Sequence, residues 1–71
     1  MDKQLFERIK ALRQARRDRH VAPDYVVYNE LSANVDEDLL RQQLNLAYKE
    51  GYIKVHRGIN HQLIELLKDE L

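Results

Sequence analysis

The sequence predicts a small α+β domain, mainly α, with three helices followed by a two-stranded β-hairpin. Apolar residues recur at helical spacing before residue 20, and a further helix pattern stops at Gly51. Alternating apolar and polar residues then lie on both sides of a Gly-Ile-Asn turn. A chain of 71 residues makes one domain at most. We expect a single domain over residues 1–71, with a core that excludes only about 60% of the unfolded surface from water.

The first helix is predicted over about residues 3–19. Leu5, Ile9, Leu12 and Arg16 share one stripe, and Phe6 lies at its flank. Asp2 is a suitable N-cap. Arg16, Arg17 and Arg19 lie in the last turn, where cations suit the negative end of the helix dipole. Two interpretations of these arginines stay open: a solvated helix end, or a patch that contacts phosphates.

A second helix is predicted over about residues 24–33, with Val27 and Leu31 facing the core. Pro23 suits its first position, where a backbone N–H is not needed. The segment Tyr25-Val26-Val27-Tyr28 is rich in β-prone residues. A short strand at this point is therefore the alternative.

The third helix is predicted over about residues 36–50. Asn34 or Asp36 would cap its start, and Gly51 would end it in the left-handed conformation. Its apolar face carries Leu40, Leu44 and Ala47, with Tyr48 on one flank and Leu39 and Leu46 on the other. We expect these flanking leucines to widen the packed arc. The opposite face is polar and carries Asp38, Arg41, Gln42, Asn45 and Lys49.

The hairpin is predicted over residues 52–66. Gly58-Ile59-Asn60 suits a three-residue loop between its two strands. The segment from His61 to Leu66 is the return strand, or it turns helical towards Leu71.

Residues 23–66 resemble the winged helix-turn-helix superfamily of small transcription regulators. The matching positions are Leu31, Ala33, Val35, Leu40 and Leu44, followed by Lys49-Glu50-Gly51-Tyr52-Ile53 at the entry into the wing. This resemblance implies that the third helix is a recognition helix for the DNA major groove, with the wing on the neighbouring backbone. A second, weaker resemblance links residues 5–13 and 21–28 to the start of the helicase-and-RNase-D C-terminal domain. That family's Gly-Val-Gly hairpin has no counterpart here.

Double-stranded DNA is accordingly the expected partner, and transcription regulation the expected role. The candidate contacts on the third helix are Arg41, Gln42, Asn45 and Lys49, and those on the wing are Lys54, His56 and Arg57. Arginine pairs well with guanine, and glutamine or asparagine pairs well with adenine. Arg16 and Arg17 are the candidates on the first helix. Asp36, Glu37 and Asp38 oppose DNA binding by repelling phosphates, although they also match the helix dipole.

The alternative is a protein-interaction module on the same scaffold, which would expose an apolar patch around Leu39 and Leu46. The net charge of zero does not by itself indicate nucleic acid. Residues 1–22 hold seven basic and three acidic residues, net +4, and residues 23–71 hold five and nine, net −4. Any DNA-binding surface must therefore be local. A homodimer is also compatible with so small a chain.

No enzyme, cofactor or metal is expected. The sequence shows no nucleophile–base pair and no phosphate-binding glycine loop, and it contains no cysteine. His56 and His61 could pair across the hairpin and hold a metal ion, but no carboxylate or cysteine lies near them in sequence, and we interpret them as surface histidines. We expect a cytoplasmic protein, nucleoid-associated if bacterial, without a membrane span. The final Lys68-Asp69-Glu70-Leu71 matches an endoplasmic-reticulum retrieval signal, and we interpret this as coincidence because no signal peptide is evident.

Overall fold

Three helices and a three-stranded antiparallel sheet form the fold in the computed structural model, which describes residues 1–22 and 24–71. The elements in chain order are α1 (Lys3–Asp18), β1 (Val26–Val27), α2 (Tyr28–Ser32), α3 (Glu37–Lys49), β2 (Ile53–Arg57) and β3 (Gln62–Leu66). The helices α1 and α3 and the hairpin β2–β3 lie within one or two residues of their predicted bounds. In the described part of the chain, no helix is both long and apolar enough to cross a membrane.

The prediction of a two-stranded sheet is wrong, because β1 adds a third strand. The strand order is β1-β3-β2, so β3 lies in the centre. Ile64 of β3 pairs with Val26 on one side and with Val55 on the other. Two β-branched valines in succession favour an extended backbone, and pairing with β3 satisfies their backbone groups.

The second helix is consequently shorter than predicted and begins at Tyr28 rather than near residue 24. Val26, and not Val27, faces the core, since the segment is a strand whose side chains alternate. Leu31 is fully buried, as predicted. The predicted helix start at Pro23 lies outside the described residues.

Side chains and backbone turns define the helix ends. Asp2 accepts a hydrogen bond from the Leu5 N–H at 2.9 Å and so caps α1, as predicted. Asp36, rather than Asn34, caps α3 by accepting from the Asp38 and Leu39 N–H groups. Gly51 ends α3 with a φ of 80°. Its N–H donates to the Tyr48 carbonyl at 3.1 Å, and the Tyr52 N–H donates to the Ala47 carbonyl at 2.9 Å. This pattern satisfies two carbonyls that a helix end otherwise leaves open.

One hydrophobic core joins the three helices and the sheet. Its buried members are Leu5, Phe6, Ile9, Val26, Leu31, Leu40, Leu44, Ala47, Ile53, Ile64 and Leu66. The prediction that Leu39 and Leu46 widen the packed face of α3 is wrong within this chain, because they are 53% and 57% exposed. Tyr48, which flanks the apolar face of α3 on the other side, is 59% exposed.

The hairpin loop contains four residues, 58–61, and not the three predicted. Arg57 pairs with Gln62 across the hairpin, so His61 belongs to the loop and β3 begins at Gln62. The Gly58 N–H closes the loop by donating to the His61 carbonyl at 2.7 Å. The return segment is a strand as far as Leu66.

Candidate functional site

A cleft separates α3 from the hairpin, with the start of α2 at one end. We name it the α3–hairpin cleft, and its volume is about 710 Å³. The residues that line it are Tyr28, Asn29, Arg41, Leu44, Asn45, Tyr48, Val55, Asn60, His61, Gln62 and Ile64. Its apolar members come from the core-facing sides of α3 and the sheet. Its polar members offer hydrogen-bond donors and acceptors around an open concave surface.

The helix α3 presents a polar stripe to this cleft. Arg41, Asn45 and Tyr48 are spaced by four and three residues, so they lie along one side of the helix and all are exposed. Gln42 and Lys49 are also exposed, but they do not line the cleft and follow a neighbouring stripe seven residues apart. The structure thus places two of the four candidate residues of α3 in the cleft.

Arg41 has a distinct local environment. The neighbouring Tyr28 hydroxyl contributes most to raising the pKa of Arg41, and the carboxylates of Glu37 and Asp38 also raise it. The Tyr28 oxygen itself is buried, and no described residue forms a hydrogen bond of normal geometry with it. Arg41 is therefore cationic throughout the neutral range, and it lies beside the Tyr28 hydroxyl.

The three candidate residues on β2 do not lie on one face of the sheet. Side chains alternate along a strand, so Lys54 and His56 lie on the sheet face opposite Val55 and the cleft. The His56 ring stacks on Tyr25 with centroids 4.5 Å apart, and its Nε2 lies 2.8 Å from Glu65 Oε1. Arg57 is exposed at the end of β2, beside the loop.

His61 and Asn60 line the cleft, although the sequence did not single them out as DNA contacts. The residue opposite His56 in the hairpin is Leu63, so the register does not pair His56 with His61. Among residues 1–22 and 24–71, no group of three or more histidine, aspartate or glutamate side chains is arranged to hold a metal ion.

The basic first helix finds its partners inside the chain. Arg16 forms an ion pair with Glu30 of α2, and its side chain is only 18% exposed. Arg17 Nε donates to Asp24 Oδ2, and this hydrogen bond is the main reason that the pKa of Asp24 is lowered. Arg13 pairs with Asp69 at 2.7 Å. Three of the seven basic residues in the range 1–22 are thus paired with carboxylates from residues 23–71.

A second exposed feature lies on another side of α3. Leu39 and Leu46 are seven residues apart and therefore share a helix face, and Val35 precedes the helix with 37% exposure. Val35 and Leu39 border a smaller depression against the start of α1, which also includes Asp2 and Arg8. We name Val35, Leu39 and Leu46 the apolar stripe of α3.

Comparison of the chain with protein-family models, with curated proteins and with solved structures finds no match.

Proposed function

We propose that the chain is a small winged helix-turn-helix domain that binds double-stranded DNA through α3 and the hairpin. The observation that carries this proposal is the α3–hairpin cleft, in which Arg41 and Asn45 share one concave surface with Asn60 and His61. The order α1-β1-α2-α3-β2-β3, with a short turn between α2 and α3, supports it, since this order suits a helix-turn-helix followed by a wing.

In this proposal α3 enters the major groove and the hairpin lies along the adjoining backbone. Arg41 would donate two hydrogen bonds to guanine, and Asn45 would form a bidentate pair with adenine. Lys49 at the end of α3 and Arg57 at the end of β2 would contact phosphates, which orient a protein without reading sequence. Lys54 and His56, on the opposite face of the sheet, are not part of this interface.

The charge distribution of the chain limits the affinity that we expect for DNA. The net charge of the chain is zero, and Asp36, Glu37 and Asp38 stand at the start of α3. About two phosphate contacts, from Lys49 and Arg57, would give a slope of about −1.8 for log K against log salt concentration. We expect weak non-specific binding at physiological salt and specificity that depends on direct base contacts.

The variant Arg41→Ala tests the proposal against a matched removal of charge, Arg19→Ala. A lost bidentate contact with guanine weakens binding by about 1–3 kcal/mol, which is roughly 5-fold to 150-fold in Kd. We expect this loss for Arg41→Ala in a fluorescence anisotropy titration with duplex DNA, and a much smaller change for Arg19→Ala. Equal losses of affinity for both variants would mean that binding depends on overall charge or on α1, and this result would contradict the proposal.

The apolar stripe of α3 favours a second candidate, a protein-interaction module. Leu39 and Leu46 are more than half exposed on one helix face, and three acidic residues directly precede Leu39 at the start of α3. Such a surface suits a partner that is apolar with a basic rim. This candidate predicts no salt-dependent affinity for DNA, so the same titration separates the two functions.

A further inference from the structure

The tip of the hairpin carries an apolar side chain that nothing in the described chain covers. Ile59 is 100% exposed in the loop 58–61, whose other members are Gly58, Asn60 and His61. Glycine and asparagine are common in turns because they tolerate unusual backbone conformations, whereas a β-branched isoleucine has no such advantage. Single exposed aliphatic side chains are ordinary on protein surfaces, so the position of Ile59 matters more than its exposure.

The neighbours of Ile59 relate the tip to the DNA-binding surface proposed above. Asn60 and His61 line the α3–hairpin cleft together with Arg41 and Asn45, and Arg57 directly precedes the loop. The apolar tip thus stands between a cation and two hydrogen-bonding side chains. Polar groups in this arrangement can hold phosphates and sugars while the apolar group between them meets the faces of bases.

The loop that carries Ile59 is tightly closed. The Gly58 N–H donates to the His61 carbonyl oxygen at 2.7 Å. A Cβ atom at Gly58 would come within 2.9 Å of the same oxygen, so the two ends of the loop are in close contact. The backbone is therefore constrained beside Ile59, and holding the side chain outward requires little further ordering on binding.

We infer that Ile59 is a wedge that inserts between two base pairs from the minor groove, beside the major-groove segment occupied by α3. This inference rests on the proposed function. Isoleucine is among the apolar side chains that partly unstack a base step and kink the duplex by about 20–90°. The steps TA and CA/TG are the easiest to unstack. The ligand is thus duplex DNA with a flexible pyrimidine–purine step next to the sequence that α3 contacts.

The test uses duplexes that carry 2-aminopurine at successive positions, since the fluorescence of this base rises when it is unstacked. Wild-type protein should raise the fluorescence at a single pyrimidine–purine step, and a fluorescence-transfer pair at the duplex ends should report a bend. Ile59→Ala should bind more weakly, without the rise or the bend. Leu67→Ala is the control, because it removes an aliphatic side chain that is 50% exposed and outside the cleft.

The outcomes separate the wedge from the proposed function. Absence of any wild-type binding at low salt would overturn both. Wild-type binding without a fluorescence rise at any step, or a rise that Ile59→Ala retains, would overturn the wedge and leave DNA binding in place. Equal losses for Ile59→Ala and Leu67→Ala would also overturn it. Ile59→Ala should melt at the wild-type temperature, since the Ile59 side chain is entirely in water.

Discussion

Leu31 is the residue of α2 on which the packing of that short helix depends. Its exposure is 0%, and its neighbours in the core include residues of α1 and the sheet. Leucine-to-alanine changes at buried sites cost about 2–5 kcal/mol, through lost burial and the cavity left behind. Helix propensity hardly changes between leucine and alanine, so the cost reports packing. We expect Leu31→Ala to reduce the free energy of unfolding by about 3 kcal/mol.

That loss is large for this chain. Small domains are stable by roughly 0.05–0.15 kcal/mol per residue, which is about 4–11 kcal/mol for 71 residues. Each kcal/mol shifts Tm by about 4–8 °C at this size, so Tm should fall by roughly 12–24 °C. Urea unfolding followed by circular dichroism measures the change, with Leu39→Ala as the control because Leu39 is 53% exposed. If the urea midpoint of Leu31→Ala is no lower than that of Leu39→Ala, the assignment of α2 to the core is refuted.

Two further predictions concern the hairpin loop and the ion pairs of α1. Gly58→Ala should reduce stability by about 1–3 kcal/mol, because the added Cβ meets the His61 carbonyl oxygen at 2.9 Å; urea unfolding should show no comparable change for Asn60→Ala. The Arg17 hydrogen bond lowers the pKa of the Asp24 carboxylate in the folded state. The ionised carboxylate therefore stabilises the fold at pH values above its unfolded pKa. This contribution is lost as the pH falls below about pH 4 and through the lowered folded-state pKa. Asp24→Asn should therefore reduce the loss of stability between about pH 5 and pH 2, and an unchanged pH dependence would contradict the ion pair.

The two long helices follow directly from the sequence. In α1 and α3 the apolar spacing, the aspartate caps and Gly51 all indicate the same bounds, so local signals agree with the fold. The segment 25–33 carries conflicting signals, because its β-prone residues and its helix formers overlap. Pairing with β3, a segment nearly forty residues later, decides that conflict. Such long-range pairing is not visible in local propensity.

The candidate site is predictable only in part. The helical period predicts that Arg41 and Asn45 face away from the core, and the structure confirms this. Strand alternation implies that Lys54 and His56 share one face of the sheet, as they do in the structure. The sheet face that meets the cleft could have been inferred from Ile53, since a buried Ile53 turns Val55 towards α3 and His56 away. The partners of Arg16 and Arg17 depend on where Glu30 and Asp24 lie in space, and no spacing rule supplies that.

The most direct test of the proposed function is a nuclear magnetic resonance titration of the isotope-labelled chain with duplex DNA at low and moderate salt. The proposal predicts chemical-shift changes at residues 41–49 of α3 and 57–61 of the hairpin, and these should fade as salt increases. Residues 54 and 56, on the opposite face of the sheet, should change little. Changes centred on residues 8–20, or no changes at low salt, would contradict DNA binding through α3 and the hairpin.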